Sequence, residues 1–218
     1  MSRALRYDIP GSDWRVCEED VRAKGWSEVF ARDVDSAPPL VVEIGFGRGE
    51  FLLDLAARAP GVAHVGVEYS FKRVLKMARR VARTPLRNVR LLEARAELLV
   101  EELLPTESVL VFWINFPDPW PKKRHARRRL VQSAFVRAMT ARLAAGGRLE
   151  IATDDAGYAE QIDRVLSGEP ALENALAPER FLREIPGRTR TAYELEWRAA
   201  GRPLHFFTYR RTSRNLPV

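Results

Sequence analysis

Leu40-Val41-Val42-Glu43-Ile44-Gly45-Phe46-Gly47-Arg48-Gly49 is the stretch that decides the fold. Its first five residues are mostly aliphatic and β-branched and read as a buried strand. Three glycines at alternate positions then let the backbone turn sharply and approach a ligand closely. Residues 50–58 carry Phe51, Leu52 and Leu55 on one face and read as a helix leaving that turn. The alternation continues along the chain. Residues 62–67 form a second strand running into Glu68, and residues 71–83 a helix that carries six cations. Residues 89–92 are a third strand, 96–104 a helix and 109–114 a fourth strand. Residues 127–144 read as a helix closed by Gly146-Gly147, 148–152 as a fifth strand, 158–166 as a helix and 206–210 as a late strand. Strands alternating with helices predict an α/β fold, a doubly wound and mostly parallel sheet with helices on both faces.

The chain has 218 residues, enough for one well-filled core. Hydrophobic residues make up 46% and charged ones 30%, the balance of a globular protein rather than a disordered one. Lys and Arg outnumber Asp and Glu by 36 to 29, which favours polyanionic partners without requiring them. A single cysteine, Cys17, excludes an intrachain disulfide and a cysteine-rich metal site, and it fits a reducing cytoplasm. No secretory h-region and no run of about 18 apolar residues is found, so neither export nor membrane spanning is expected. Residues 1–36 mix charge with Trp14, Trp26 and Phe30; they read as an arm with a short helix ending near Asp35–Pro39, ahead of a domain over 37–218.

The glycine turn is G-x-G-x-G. It lacks the G-x-G-x-x-G spacing that seats a pyrophosphate on a helix N-terminus, which places a nucleotide-dependent oxidoreductase last among the readings. Glu43 precedes the glycines and suits a cationic ligand such as a sulfonium amino acid. Glu68, 25 residues on, ends the second strand where a carboxylate can accept both hydroxyls of a ribose. Glu43, Gly45, Gly47 and Glu68 together point to S-adenosylmethionine (SAM), against the plainer reading of a structural strand-to-helix turn.

A second constellation begins at Asn115-Phe116-Pro117-Asp118-Pro119-Trp120-Pro121. Three alternating prolines stiffen the turn and present one carboxylate, Asp118, beside an aromatic ring. Six Lys or Arg and one His follow within residues 122–129. At a helix start such cations oppose the macrodipole, a cost that a bound phosphate offsets. A carboxylate on a stiff turn can equally be satisfied by local amides. Asp154 in Thr153-Asp154-Asp155 gives another acidic spot, or only the N-cap of the next helix. Residues 188–194, with Thr191, Ala192, Tyr193 and Glu194, form a polar and aromatic cluster able to cap a substrate pocket. His125 has no second His or Cys beside it and reads as a phosphate or packing contact, so no metal is expected.

These motifs together resemble the bacterial tRNA (guanine-N7-)-methyltransferases over about residues 40–210. The segment 116–120 with Lys122, Arg124, His125 and Arg127-Arg128 is the most specific part. Thr153-Asp154 with Tyr158, and Thr191, Tyr193 and Glu194 with Gly201, support it. The resemblance implies a Rossmann-like, SAM-dependent cytoplasmic enzyme that methylates N7 of a guanine in the tRNA variable loop. It implies that Glu43, Gly45, Gly47, Glu68 and Asp118 line the cofactor site and that Asp118 is also catalytic. Lys122, Asp154 and the stretch 191–194 would contact the guanine or its nucleotide. Arg95 stands where the family has an acidic or amide residue near the cofactor, and Ala192 where it has Lys. The alternatives are a SAM enzyme acting on a small molecule and a non-catalytic RNA-binding relative.

Overall fold

The structure, a computed structural model, describes residues 7–34 and 39–212. The chain forms two compact units, Met1–Leu103 and Leu104–Val218. The first contains β1 (Arg15–Val16), α1 (Glu18–Phe30), β2 (Leu40–Ile44), α2 (Glu50–Arg58), β3 (His64–Glu68), α3 (Phe71–Val81), β4 (Val89–Glu93) and α4 (Ala96–Leu98), which runs on as a π-helical turn over Leu99–Leu103. Its strands lie in the order β1-β4-β3-β2, all parallel, with Glu43 opposite Gly66 and Glu68 opposite Glu93. Parallel neighbours need crossover connections, and α2 and α3 supply them. Every residue of β3 is buried, as expected for a strand covered on both faces. On α3, Val74, Leu75, Met77, Ala78 and Val81 are buried while Lys72, Arg73 and Lys76 face out.

The N-terminal segment is tied into this unit. Trp26 and Phe30 are buried, and the Trp26 indole N–H donates to the Leu103 carbonyl at 2.9 Å. Arg90, buried on β4, bonds Asp33 at 2.5 Å and the Val29 carbonyl at 2.8 Å, and it lies against the rings of Trp14 and Phe30. The expected short helix is α1, and it stops at Phe30; residues 35–38, where its end was expected, lie outside the described residues.

The second unit contains β5 (Val109–Asn115), a 3-10 helix (Lys123–Arg128), α5 (Ser133–Arg142), β6 (Leu143–Thr153), α6 (Ala156–Ser167), β7 (Leu172–Asn174), α7 (Ala192–Ala199) and β8 (His205–Arg211). The strand order is β5-β6-β8-β7; β5 and β6 are parallel, and β8 runs antiparallel to β6 and β7. The helix expected over 127–144 is divided, because Arg129 is extended and side chains of α6 satisfy the backbone there. The Tyr158 hydroxyl accepts from the Val131 N–H at 2.9 Å, and the Gln161 amide donates to the Val131 carbonyl at 3.0 Å. With those groups paired, nothing drives the helical ladder through residues 129–132. The fold is therefore α/β and mostly parallel, as its sequence pattern predicts.

Gly49 opens α2 at φ 80°, and a Cβ there would meet the buried Met77 sulfur at 2.1 Å. Gly49→Ala is expected to destabilise by about 2–3 kcal/mol from left-handed backbone strain and overpacking. Gly61→Ala, where a Cβ meets nothing, should stay near wild type in the same urea titration.

His64 is buried and gives its Nδ1 to the Val62 carbonyl at 2.8 Å; burial pulls its pKa down to about 4. Its folded pKa lies below the unfolded one of about 6.5, so the unfolded chain binds the proton first. Its contribution is full above that pH and is lost as pH falls toward 4. The stability gap between wild type and His64→Gln should therefore narrow over that window.

Candidate active site

In the first unit the strand-to-helix turn is built on left-handed backbone: φ is 73° at Gly45, 55° at Gly47 and 80° at Gly49. A Cβ on Gly45 would meet nothing within 4 Å, and one on Gly47 would meet only the Gly45 carbonyl at 3.9 Å. These two positions therefore leave a bare backbone surface, whereas Gly49 is required by packing. Glu68 stands at the C-terminal end of β3, buried. One of its oxygens accepts from the Gly47 N–H at 3.3 Å and from Arg73 at 3.3 Å; the other accepts from the Ser70 N–H at 3.1 Å. A carboxylate has about four acceptor positions. Three bonds, two of them long, leave Glu68 room for a hydroxyl pair. Glu43 is buried on β2, one residue before the turn. A carboxylate at this position, just before the bare glycine backbone, has the charge that a sulfonium amino acid calls for. The glycine cradle and the two acids thus fit SAM. The Arg95 side chain is 81% exposed and leans toward Glu97 at 3.6 Å, so only its backbone stays near the end of β4.

In the second unit Asp118 follows β5 on a turn flanked by two non-glycine residues in the left-handed region, Phe116 at φ 52° and Trp120 at φ 41°. Such backbone is costly and clusters where a side chain must be aimed. Asp118 is exposed, and one of its oxygens accepts from the Trp120 N–H at 3.1 Å. The turn is pinned from behind by Arg129, which donates to the Pro119 carbonyl at 2.7 Å and to Gln161 at 2.9 Å. Arg128 lies over the Trp120 ring at 4.9 Å and His125 meets that ring edge-on. Lys122, Arg124, Arg127 and Arg128 are exposed and carry no ion pair among the described residues.

Asp155, not Asp154, caps α6, accepting from the Tyr158 N–H at 2.6 Å. Asp154 is thereby released from the capping role, and it pairs with Arg202 at 3.0 Å. Thr191 caps α7 by accepting from the Glu194 N–H at 2.9 Å. The Thr191-x-x-Glu194 spacing is the sequence signature of that N-terminus. Ala192 opens the helix. Tyr193 packs its ring against Phe116 at 5.1 Å and Trp197 at 5.3 Å. Burial, with the charges of Asp154 and Asp118, raises the Tyr193 pKa. Tyr193 thus feels both of the aspartates that the sequence singles out.

Glu194 differs from its neighbours. It is buried and accepts from Arg188 at 2.6 Å and from Arg198 at 3.0 Å. Arg188 is buried too, reaches Asn115 at the end of β5, and lies over the Phe206 ring at 4.9 Å. Sequence reasoning had placed Arg188 in a polar cluster and missed this role, because one arginine in a basic third carries no periodic signal.

A family model described as "Putative methyltransferase" matches residues 37–207. The tRNA (guanine-N(7)-)-methyltransferase of Geobacter metallireducens is 35% identical over 188 residues, 86% of this chain and 87% of that one. The chain belongs to the tRNA (guanine-N(7)-)-methyltransferase family. The enzyme of that name from Alkalilimnicola ehrlichii is 45% identical over 66% of this chain and 60% of its own length. That from Thermotoga maritima is 38% identical over 81% of this chain and 54% of its own. Among solved structures, the 16S rRNA methyltransferase KamB superposes with a TM-score of 0.60 at 17% identity, covering 84% of this chain and 93% of that one. At that identity the likeness shows the fold alone, a Rossmann-like α/β sheet. No helix among the described residues is long and apolar enough to cross a membrane, and no group of three His, Cys, Asp or Glu among them could hold a metal ion.

Because Glu194 holds two guanidinium groups inside the unit, Glu194→Ala is expected to cost about 3–5 kcal/mol of stability, the penalty for stranding a buried charge. Chemical denaturation checks this. A change under about 1 kcal/mol, near that of an exposed pair, would show that Glu194 is not a structural hub.

Proposed function

We propose that the chain is a cytoplasmic enzyme that transfers a methyl group from SAM to N7 of a guanine in the variable loop of tRNA. The observation that carries the reading is Asp118, held on a strained turn whose Phe116 ring packs on Tyr193, in a chain of this family. When bound, SAM supplies an activated methyl group on a sulfonium. Glu43 and the bare glycine backbone at Gly45 and Gly47 receive its amino-acid end, Glu68 its ribose hydroxyls, and the backbone at Arg95 lies near its base.

N7 of guanine has a free lone pair and no proton, so no general base is required. The protein's task is to fix the base so that N7 is aligned for attack, and alignment alone can supply large factors. Asp118 accepts from the guanine N1–H and amino group. That makes the ring more electron-rich as N7 gains positive charge, and it rejects adenine, which offers a lone pair at N1. Tyr193 and Phe116 supply an aromatic wall for the base, which must leave its stack to reach it. Lys122, Arg124, Arg127 and Arg128 grip phosphates, so affinity falls as salt rises. Thr191 and Glu194 act through α7: one caps the helix and the other locks it to Arg188, and together they set the height of Tyr193. Ala192 stands at the N-terminus of that helix.

The test is transfer from labelled SAM to an unmodified tRNA transcript, followed by nucleoside digestion. Label is expected as 7-methylguanosine and is expected to vanish when the variable-loop guanine is changed to adenine. Asp118→Ala should lower turnover at least about 10²–10³-fold, the scale of a lost transition-state hydrogen-bond partner, with SAM binding kept in calorimetry. SAM binding without any labelled tRNA would point to a small-molecule substrate instead.

A further inference from the structure

Arg202 has no part in the reading above, yet it sits on the site. Its guanidinium carbon lies 3.5 Å from the centre of the Trp197 ring, a face-on stack, and Nη1 donates to Asp154 Oδ2 at 3.0 Å. The Asp154 side chain is only 6% exposed, while that of Arg202 is 50% exposed. The turn after α7 brings Arg202 back over its own helix: Gly201 has φ 69°, and the Arg202 N–H donates to the Trp197 carbonyl at 3.0 Å. Tyr193 closes another side of the indole, ring against ring at 5.3 Å. Its phenol feels the charges of Asp154, Arg202 and Asp118 together.

Guanine contains a guanidine. Its N1–H, C2 and exocyclic amino group form a flat N–C–N fork with donor hydrogens along one edge and a π face above and below. A carboxylate set beside an indole face can accept from one nitrogen of such a flat group, whether an arginine's or the exocyclic amino group of the base. We propose that Arg202 and the target guanine compete for one place, over Trp197 and against Asp154, so that the base enters by displacing the side chain. This rests on the guanine reading of the site. The exchange keeps Asp154 supplied with donors throughout, so its nearly buried carboxylate is never left alone. It also sharpens selection. Guanine restores a donor to Asp154 through the amino hydrogen that Asp118 does not take, whereas adenine, with a C–H at that carbon, displaces the cation and restores none. Trp197 is then a base-stacking residue, and Arg202 a specificity-determining one.

The proposal is tested on the full chain by calorimetry with guanosine and adenosine. These are uncharged, so the lost cation does not bias the result. If Arg202 fills the place about nine-tenths of the time, Arg202→Ala should bind guanosine about tenfold tighter than wild type does, with adenosine binding unchanged. Unchanged or weaker guanosine binding, or an equal gain for adenosine, overturns it. Should Arg202→Ala fail to unfold cooperatively in urea, Arg202→Lys serves, since an ammonium keeps the ion pair without the flat fork. It too should gain guanosine affinity. Transfer by wild type to the unmodified transcript is measured alongside. Transfer without the guanosine gain defeats this proposal alone, and the gain without transfer defeats the assigned reaction alone.

Discussion

A guanidinium cannot shed its proton, and once buried it must be given acceptors. Arg188 is such a group. Its charge is met by Glu194, another of its nitrogens goes to Asn115 at the end of β5, and its face rests on Phe206 of β8. One side chain therefore joins the strand that leads into the Asp118 turn, the helix that carries Tyr193 and the antiparallel strand behind both. The aromatic contacts between Phe116 and Tyr193 follow from that join. In this unit the site is less a set of exposed reactive groups than the outer surface of a polar network with a fixed internal geometry.

The first unit solves a different problem by different means. It offers a ligand mostly backbone, with one carboxylate just before the glycine turn and another beside it at the end of β3. Glu68 holds that turn by accepting from Gly47, so the same carboxylate that suits a ribose also sets the shape of the loop. Packing settles the third glycine, where Met77 leaves no room for a Cβ.

How much of this was legible in the sequence varied with how local the cause was. β2 and α2 match their sequence-derived bounds to the residue, because a buried aliphatic run and an apolar helical face need no distant partner. The division of the helix over 127–144 was not legible, since Tyr158 and Gln161, some 30 residues away, satisfy its middle. α7 was missed although Thr191-x-x-Glu194 announces it, because eight residues give little periodicity to read. The excess of Lys and Arg over the whole chain favours polyanionic partners, and the C-terminal third is rich in arginine. There Arg180, Arg188, Arg190, Arg198, Arg202, Arg210 and Arg211 all sit in ion pairs. Charge counts do not reveal pairing across 50 or 100 residues. Lys122, Arg124, Arg127 and Arg128, which the sequence places just after Asp118, stay exposed and open to a phosphate.

β8 lies between β6 and β7 although both precede it in the chain. On the ribosome, β6 and β7 emerge first and have no ladder between them until residues 205–211 have left the exit tunnel. A nascent chain released before that point would present the edge of β6, with Leu149 and Ile151, to any strand nearby. It would also strand the buried Glu150, whose carboxylate takes the Thr208 hydroxyl. A copy stalled or nicked before β8 would thus leave β6 and β7 without the strand that joins them, open to capture by chaperones and proteases.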